Sequence, residues 1–313
     1  MEKVVIAAAS NIDHIEKGMK VSKQFLNGAS IYSGFASSLY SPTRVITCVG
    51  DEPENDGILN WVKSYRNDNV PIFDFIKVEK GKSFKQTFKE IDGKFVVTNK
   101  DYGNYNDWSP KIPDFEAETL LLGTGNPVFQ KSVLDACIHA KHILLDSKGI
   151  HFKMRAEKID ALLKRVDTFF GTIEEIQQLL ENCSLPSTIT SSLFNRYPNL
   201  QVIIEKNDKK GGRVFTQDGS LYQYQPVSQV EEVCEDGAGD VFAGTYAALI
   251  TQGFPSKEVI QKSAEAAAES VKHFGIYKVK KLLTISPEIK IRIEESRWKS
   301  RDGRDEKGAN RSD

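Results

Sequence analysis

Short apolar runs alternate with segments of helical periodicity along most of the chain. The run from Val4 to Ala9 is continuously apolar, which is typical of a strand buried on both faces. From residue 119 onward, such runs alternate with helical segments, and this order predicts a parallel sheet covered by helices on both faces. The predicted strands are 45–49, 70–75, 120–122, 142–145 and 201–205, and the predicted helices are 58–65, 130–139, 153–163 and 173–180.

Two segments have a different pattern. Residues 14–26 are mixed and polar, which favours small strands outside the main sheet. Residues 82–107 alternate between polar and apolar positions around Asp92-Gly93, a pair that is typical of a hairpin turn. Together the two segments predict a small β lid.

The stretch Gly237-Ala238-Gly239-Asp240 is followed by helical periodicity over residues 241–252. Its small residues predict a tight turn before a helix, where the first backbone N–H groups lack partners and attract anions. An acidic residue at this place opposes simple anion binding. A phosphotransferase, however, needs a carboxylate there to accept the proton of an attacking hydroxyl. The alternative interpretation is that Asp240 only complements the helix dipole.

Composition and charge narrow the function classes. The chain has 313 residues, a formal net charge of −1 and 40% hydrophobic residues, which suits a globular α/β core. This charge argues against nucleic-acid or anionic-membrane binding, and no apolar run approaches the length of a membrane span. The four cysteines form no Cys-x-x-Cys pair, and no histidines lie at ligand spacing, which argues against a zinc site. Scattered cysteines also favour a reducing cytoplasm.

The segment from Gly237 to Gly244 resembles the C-terminal signature of the ribokinase/PfkB carbohydrate kinase family. The resemblance implies a ribokinase-like three-layer α/β fold with a mostly parallel central sheet and a small β lid. It predicts one kinase domain over residues 1–285, with lid segments around 14–26 and 82–107. Residues 286–313 are charged, and we predict that they form a disordered tail.

The resemblance also assigns the catalytic groups. In this family the amides of the glycine-rich turn form an anion hole, here Gly237, Ala238 and Gly239, and the next aspartate, here Asp240, is the catalytic base. The family signature usually reads Asp-Thr-x before this turn, whereas this chain has Cys234-Glu235-Asp236. In several relatives these places contribute to a monovalent-cation site, so the change makes activation by potassium doubtful.

Four residues are candidates for holding the phosphate acceptor. Asp13 follows the first strand and matches the family position whose carboxylate binds sugar hydroxyls. Asn27 and Gly28 begin a segment that resembles the family's Gly-Gly-x-x-x-Asn motif, at the start of a helix beneath the substrate. Asn126 follows the strand at 120–122 and is a candidate for lining the site, with a plain turn as the alternative.

Other residues are candidates for binding ATP and Mg²⁺. Glu175 resembles the glutamate of the family's Asn-x-x-Glu motif, which organises magnesium through water, and Thr172 replaces the asparagine. The same two residues fit a capping box at a helix N-terminus, and the two interpretations are compatible. Lys206 and Gly211 lie in the loop that meets the nucleotide in the family, with a solvated turn as the alternative. Ala264 lies on an alanine-rich helix that matches the one flanking the adenine, and close helix packing explains the alanines equally well.

The resemblance therefore predicts an ATP-dependent, Mg²⁺-dependent kinase acting on a hydroxyl of a sugar, a cyclitol or a nucleoside. A nucleoside kinase would be favoured by aromatic side chains that stack on a base, and Phe84, Phe95 and Tyr102 are the candidates. A catalytically silent ligand-binding protein is the other alternative, supported by the changed residues Thr172, Asp208, Cys234 and Glu235. The lid edges make a homodimer plausible.

Overall fold

The computed structural model describes residues 1–17, 20–52, 71–183, 189–227, 230–275, 278 and 289–298. The helix predicted at 58–65 lies outside these residues. The elements in chain order are β1 (Glu2–Ala7), β2 (Asn11–Lys17), β3 (Lys20–Asn27), α1 (Ala29–Ser38), β4 (Thr43–Val49), β5 (Ile72–Lys77), β6 (Phe84–Ile91), β7 (Lys94–Asp101), β8 (Phe115–Leu122), α2 (Pro127–Ala136), β9 (Cys137–Asp146), α3 (Gly149–Met154), α4 (Ala156–Leu163), β10 (Thr168–Thr172), α5 (Ile173–Asn182), α6 (Ile189–Arg196), β11 (Val202–Lys206), β12 (Gly212–Thr216), β13 (Ser220–Pro226), α7 (Ala238–Thr251), α8 (Ser256–Ser270) and β14 (Ile291–Arg297).

The described strands form a main sheet in the order β14-β13-β12-β11-β10-β9-β8-β1-β4-β5. The pairs from β11 through to β5 are parallel, whereas β11 to β14 form an antiparallel extension at one edge. Val4 to Ala7 of the central strand β1 have no exposed surface, because helices cover both faces of the sheet. The predicted α/β fold with a mostly parallel central sheet is thus confirmed.

Helices α1, α7 and α8 pack on one face of the sheet. The aromatic rings of Phe170, Phe242 and Tyr246 meet on this face, with Phe170 and Tyr246 edge to face at 5.3 Å between ring centroids. Burying a side chain such as Phe170 contributes about 1.5–3 kcal/mol each. This packing fixes the N-terminus of α7 against the carboxyl ends of the parallel strands, where α/β proteins form ligand clefts.

The second sheet is the predicted lid, with strand order β3-β2-β6-β7. Its hairpin turns at Asp92 and Gly93, both of which have positive φ, as an Asp-Gly turn requires. The outer strand β7 contacts the body of the protein. The Phe95 N–H donates to the Val233 carbonyl at 2.9 Å, and the Phe95 ring stacks on Phe274 at 4.0 Å between centroids.

Two predicted helices differ from the structure in their bounds. The helix predicted to 139 ends at Ala136, because the chain from Cys137 onward pairs with β8 and sheet pairing overrides the local pattern. The helix predicted at 153–163 is two helices, separated by Arg155, whose φ of −141° is not helical.

The disordered tail predicted from residue 286 is wrong for residues 291–298. Strand β14 pairs with β13 along its whole length, and Trp298 stacks on Phe194 at 5.5 Å between ring centroids. The charges that suggested disorder lie on an exposed edge strand, where charged side chains discourage pairing with other chains. No helix in the described residues is both long and apolar enough to cross a membrane.

Candidate active site

Gly237 begins helix α7 with a left-handed backbone, at φ +85°. A Cβ on this residue would lie 2.2 Å from the Tyr32 ring, so both the backbone and the space require glycine. The Ala238 N–H donates to the Glu235 carbonyl at 3.1 Å and closes the turn. The amides of Gly239 and Asp240 follow in the first helical turn, where no carbonyl one turn earlier in the helix can accept them. The Ala238 amide, which is predicted to form part of the anion hole, is therefore already engaged by the turn, whereas the Gly239 and Asp240 amides can bind an anion.

The Asp240 carboxyl lines a cleft between the main sheet and the lid. Its pKa is raised to about 7 by burial and by the negative charge of Asp146, against a hydrogen bond from the Thr124 side chain and the charge of Lys206. A carboxyl group with this pKa exchanges its proton near neutral pH, as a general base must.

Lys206 lies beside the same turn. Its ammonium nitrogen is 2.8 and 2.9 Å from the two carboxylate oxygens of Asp146, which is itself buried. Burial lowers the pKa of Lys206, but the charges of Asp146, Glu175 and Asp240 outweigh this effect and raise it. A Cβ on Gly239 would be 3.4 Å from the Lys206 nitrogen, so a fixed positive charge adjoins the free helix amides.

Glu175 fulfils the predicted capping box. The Thr172 N–H donates to its carboxylate at 2.8 Å, and the Glu175 N–H donates to the Thr172 hydroxyl at 3.2 Å. Burial raises the pKa of Glu175, and the nearby Lys206 opposes that rise. Within the described residues, no group of three acidic, histidine or cysteine side chains is arranged to hold a metal ion.

Asp13 is completely buried behind the cleft. Its carboxylate accepts hydrogen bonds from the side-chain amides of Asn11 and Asn27, and burial together with the charge of Asp236 raises its pKa to about 8. Gly28 lines the cleft at φ +101°, and a Cβ there would meet the Asn11 side chain at 2.0 Å. The structure thus brings Asp13, Asn27 and Gly28 together, as the sequence predicts.

Asn126 has a structural role. Its side-chain oxygen accepts from the backbone N–H groups of Val128 and Phe129, and its amide donates to the carbonyls of Tyr105 and Trp108. The side chain is fully buried and its donors and acceptor are engaged as a helix cap. The prediction that Asn126 binds substrate is not supported by these contacts.

Two predicted nucleotide-binding residues also lie away from the described cleft. Gly211 makes a tight turn at φ +92°, in which a Cβ would come within 1.9 Å of the Tyr224 carbonyl. Ala264 packs in the core between α8 and the sheet. Both positions are explained by packing, and the cleft lining does not include them.

Several cleft residues were missed by sequence reasoning. Asp236 lines the cleft, and its charge raises the pKa values of both Asp13 and Asp240. Lys148 also lines it, and so does His151. The sequence did carry a weak signal for Lys148, because it lies two residues after the strand end at Asp146, where ligand clefts form.

The aromatic candidates separate into two groups. Phe84 and Tyr102 line the cleft and stack on each other at 4.9 Å between centroids. The Phe95 ring stacks on Phe274 instead, and Phe95 does not line the cleft.

Comparison with solved structures identifies the fold. The chain is similar to a nucleoside kinase of Methanocaldococcus jannaschii, described as an archaeal member of the ribokinase family, with 16% identity and a TM-score of 0.70 over 90% of this chain and 98% of that one. An Escherichia coli protein provisionally described as ribokinase II, solved with ATP and Mg²⁺, shows 15% identity and a TM-score of 0.66 over 90% and 99%.

A nucleoside kinase of Burkholderia thailandensis, solved with inosine, shows 12% identity and a TM-score of 0.63 over 91% and 94%. No curated protein matches the sequence significantly. The profile of the pfkB family carbohydrate kinases matches residues 34–281, well over half of the chain. This protein therefore belongs to the PfkB family of carbohydrate kinases.

Proposed function

We propose that the protein is an ATP-dependent kinase that phosphorylates a hydroxyl group of a sugar or sugar-like polyol. The observation that carries this proposal is the position of Asp240, a carboxyl with a pKa of about 7 at a helix N-terminus in the cleft. The adjoining amides and the Lys206 ammonium place hydrogen-bond donors beside this carboxyl. A proton acceptor beside an anion site is the arrangement that phosphoryl transfer to an alcohol needs.

The reaction follows from these groups. Asp240 accepts the proton of the acceptor hydroxyl, and the hydroxyl oxygen bonds to the γ-phosphorus of ATP as the bond to the β,γ-bridging oxygen breaks and ADP leaves. The amides of Gly239 and Asp240 and the ammonium of Lys206 stabilise charge on the transferring group. Removing one preorganised donor of this kind typically costs about 10²–10³ in rate.

Asp13 and Asp236 favour a polyhydroxylated acceptor. Asp236 lies close to both Asp13 and Asp240, since its charge acts on each of these groups. Carboxyl oxygens accept hydrogen bonds from hydroxyl donors, and a sugar or cyclitol presents several such donors on one face. Because the Asp13 side chain is buried, it influences the acceptor indirectly, through Asn11 and Gly28, which line the cleft. Direct contact with the acceptor requires these lining residues to move.

Magnesium is part of the proposal through Glu175. Its half-buried carboxylate and that of Asp146 lie around Lys206. Without three side chains placed for direct ligation among the described residues, they fit an ion that keeps most of its water shell. When bound, Mg²⁺ neutralises charge on the nucleotide phosphates.

A nucleoside acceptor is the second candidate. The stacked pair of Phe84 and Tyr102 in the cleft lining gives a wall on which a base could rest. A silent ligand-binding protein is disfavoured because the turn keeps a carboxylate with a raised pKa, which binding without catalysis does not need.

The test is an ADP-release assay with MgATP across pentoses, hexoses, inositols and nucleosides, each in sodium and in potassium. We expect one strong acceptor class for the wild type. Asp240→Asn should still bind ATP but lose turnover by at least about a hundredfold. Full activity of this variant, or no acceptor for a wild type that still binds ATP, would contradict the proposal.

A further inference from the structure

Lys278 is a buried lysine that the roles above do not use. Its side chain has no exposed surface, and its ammonium donates hydrogen bonds to the backbone carbonyls of Cys234, at 2.7 Å, and Asp236, at 2.6 Å. The same nitrogen lies over the Tyr32 ring, 5.6 Å from its centre. Carbonyl oxygens and an aromatic face are both favourable surroundings for a cation.

This ammonium lies beneath the anion-binding turn. The segment 234–236 leads directly into Gly237, and Gly237 packs on the Tyr32 ring that Lys278 also contacts. Lys278 therefore holds both the backbone that enters the turn and the ring that supports it. The orientation of the Gly239 and Asp240 amides depends on this backbone, because the helix begins immediately after it.

The positive charge of Lys278 reaches its surroundings. Burial lowers the pKa of Lys278 below that of an exposed lysine, and the neighbouring Cys234, Asp236 and Asp240 only partly oppose this effect. Among the described residues, the Lys278 ammonium donates to two backbone carbonyls, which are neutral, so these hydrogen bonds do not neutralise its charge. A charge at this depth is screened less than one in water, and it adds to the potential at the turn.

We propose that the Lys278 ammonium is a built-in monovalent cation, which fixes the carbonyls of Cys234 and Asp236 and places positive charge under the phosphate-binding turn. Lys278 is then a positioning residue, since it acts through the turn. This inference rests on the proposed function. Free K⁺ and NH₄⁺ are the ions of matching chemistry, because they carry one charge and carbonyl oxygens can replace their hydration shells.

Two substitutions separate the charge from the space that the side chain fills. Lys278→Met keeps a side chain of similar length and removes the charge. Lys278→Ala leaves a hole beside two carbonyls that K⁺ or NH₄⁺ can enter. The matched control is Lys272→Met, which removes a half-buried lysine whose ammonium pairs with the Glu269 carboxylate at 3.2 Å instead of with carbonyls of the segment 234–236.

The first measurement is thermal melting in KCl, NH₄Cl, NaCl and choline chloride at equal ionic strength. Lys278→Ala should melt at a higher temperature in K⁺ or NH₄⁺ than in Na⁺ or choline. The wild type, Lys278→Met and Lys272→Met should show no such difference. This readout needs no turnover, so it tests the role of Lys278 even if the wild type proves not to be a kinase.

The second measurement is steady-state kinetics with the acceptor found for the wild type. Lys278→Met should lower kcat by about tenfold or more, because the anion site loses preorganisation, with a smaller change in the acceptor KM. Lys278→Ala should regain activity in K⁺ or NH₄⁺ but not in choline, and Lys272→Met should match the wild type.

Three results would overturn the proposal. They are a wild type that K⁺ activates or specifically stabilises, a Lys278→Ala protein with no ion selectivity in either measurement, and a Lys278→Met protein with full kcat. If neither Lys278 variant folds, the melting temperatures of the wild type in the four salts still test the proposal. An identical response to all four salts then supports the built-in cation, and preferential stabilisation by K⁺ rejects it.

Discussion

The protonation state of Asp240 sets the pH range in which the proposed reaction runs. Its pKa is raised to about 7 by burial and by Asp146, and only its deprotonated form accepts a proton. As the pH falls below this value, the competent fraction decreases. We expect kcat/KM to fall by about tenfold per pH unit on the acid side. A pH–rate profile checks this, and a flat profile from about pH 5 to 8 would remove Asp240 from its role.

Stability should respond to pH with the opposite sign. The pKa values of Asp13, about 8, and Asp240, about 7, are both above those of an exposed aspartate, so the folded state binds these protons more tightly than the unfolded chain. Their contribution to the free energy of unfolding is therefore largest below the pKa of an exposed aspartate, about 4. It declines as the pH rises from there to the folded-state pKa values of about 7 and about 8. A loss of activity on mild acidification would thus not be explained by unfolding linked to these two groups.

Glu175 allows metal binding and helix capping to be separated. Glu175→Gln keeps a side chain that can complete the capping box but removes the charge. We expect the Mg²⁺ concentration for half-maximal activity to rise severalfold, with little change in melting temperature. Thr172→Ala is the matched variant, since it should lose about 1 kcal/mol of stability with an unchanged Mg²⁺ requirement. Equal Mg²⁺ responses of Glu175→Gln and the wild type would contradict the metal role.

Helices α1 and α7 approach each other closely because Gly244 has no side chain. A Cβ on Gly244 would lie 2.2 Å from the Ser33 carbonyl oxygen, in the backbone of the facing helix. This contact holds α7, and with it the anion-binding turn, at a fixed distance from α1. Helix α7, which carries the proposed catalytic Asp240, is therefore held in place by close backbone packing at Gly244.

Gly244→Ala tests this packing through the sign of its effect. Alanine in a helix normally stabilises by roughly 1 kcal/mol relative to glycine, so a helix with free space would become more stable. We expect a loss of about 1–3 kcal/mol instead, because the helices must separate. Chemical denaturation measures the change. The control is Gly253→Ala, where a Cβ meets nothing within 4 Å and only the backbone at φ +76° is strained. A more stable Gly244→Ala protein would contradict the close contact.

At the scale of the whole molecule, the lid closes against the body through β7. The contact of Phe95 with Phe274 and the hydrogen bond to Val233 join the lid to the segment that leads into the turn at Gly237. A closed lid excludes water, which otherwise competes with the acceptor for the phosphoryl group. The homodimer through lid edges and the cytoplasmic location remain predictions.

Phe95→Ala should loosen this closure. We expect a higher acceptor KM and a larger share of ATP hydrolysed without phosphorylating the acceptor, because the cleft admits water more often. The ratio of ADP released to phosphorylated product measures this share. Val96→Ala, at a neighbouring side chain that is 45% exposed, should behave as the wild type. Tight coupling in Phe95→Ala would show that the lid does not depend on this contact.

The sequence by itself determined the features that depend on neighbours along the chain. Continuous apolar runs specify buried parallel strands, since only a strand covered on both faces can use them. The glycine turn before α7, the capping box of Thr172 and Glu175 and the Asp92 hairpin are also local, because each requires particular residue types within a few positions.

Only the tertiary structure decided which distant residues share the site. Lys206 pairs with Asp146 across sixty positions, and Lys278 reaches the backbone of Cys234 across forty-four. The sequence also could not decide whether Asn126 caps a helix or binds the substrate, because a polar residue at a strand end suits both roles. Such roles depend on burial and on partners from other elements, and those are set when the sheet brings the strand ends together.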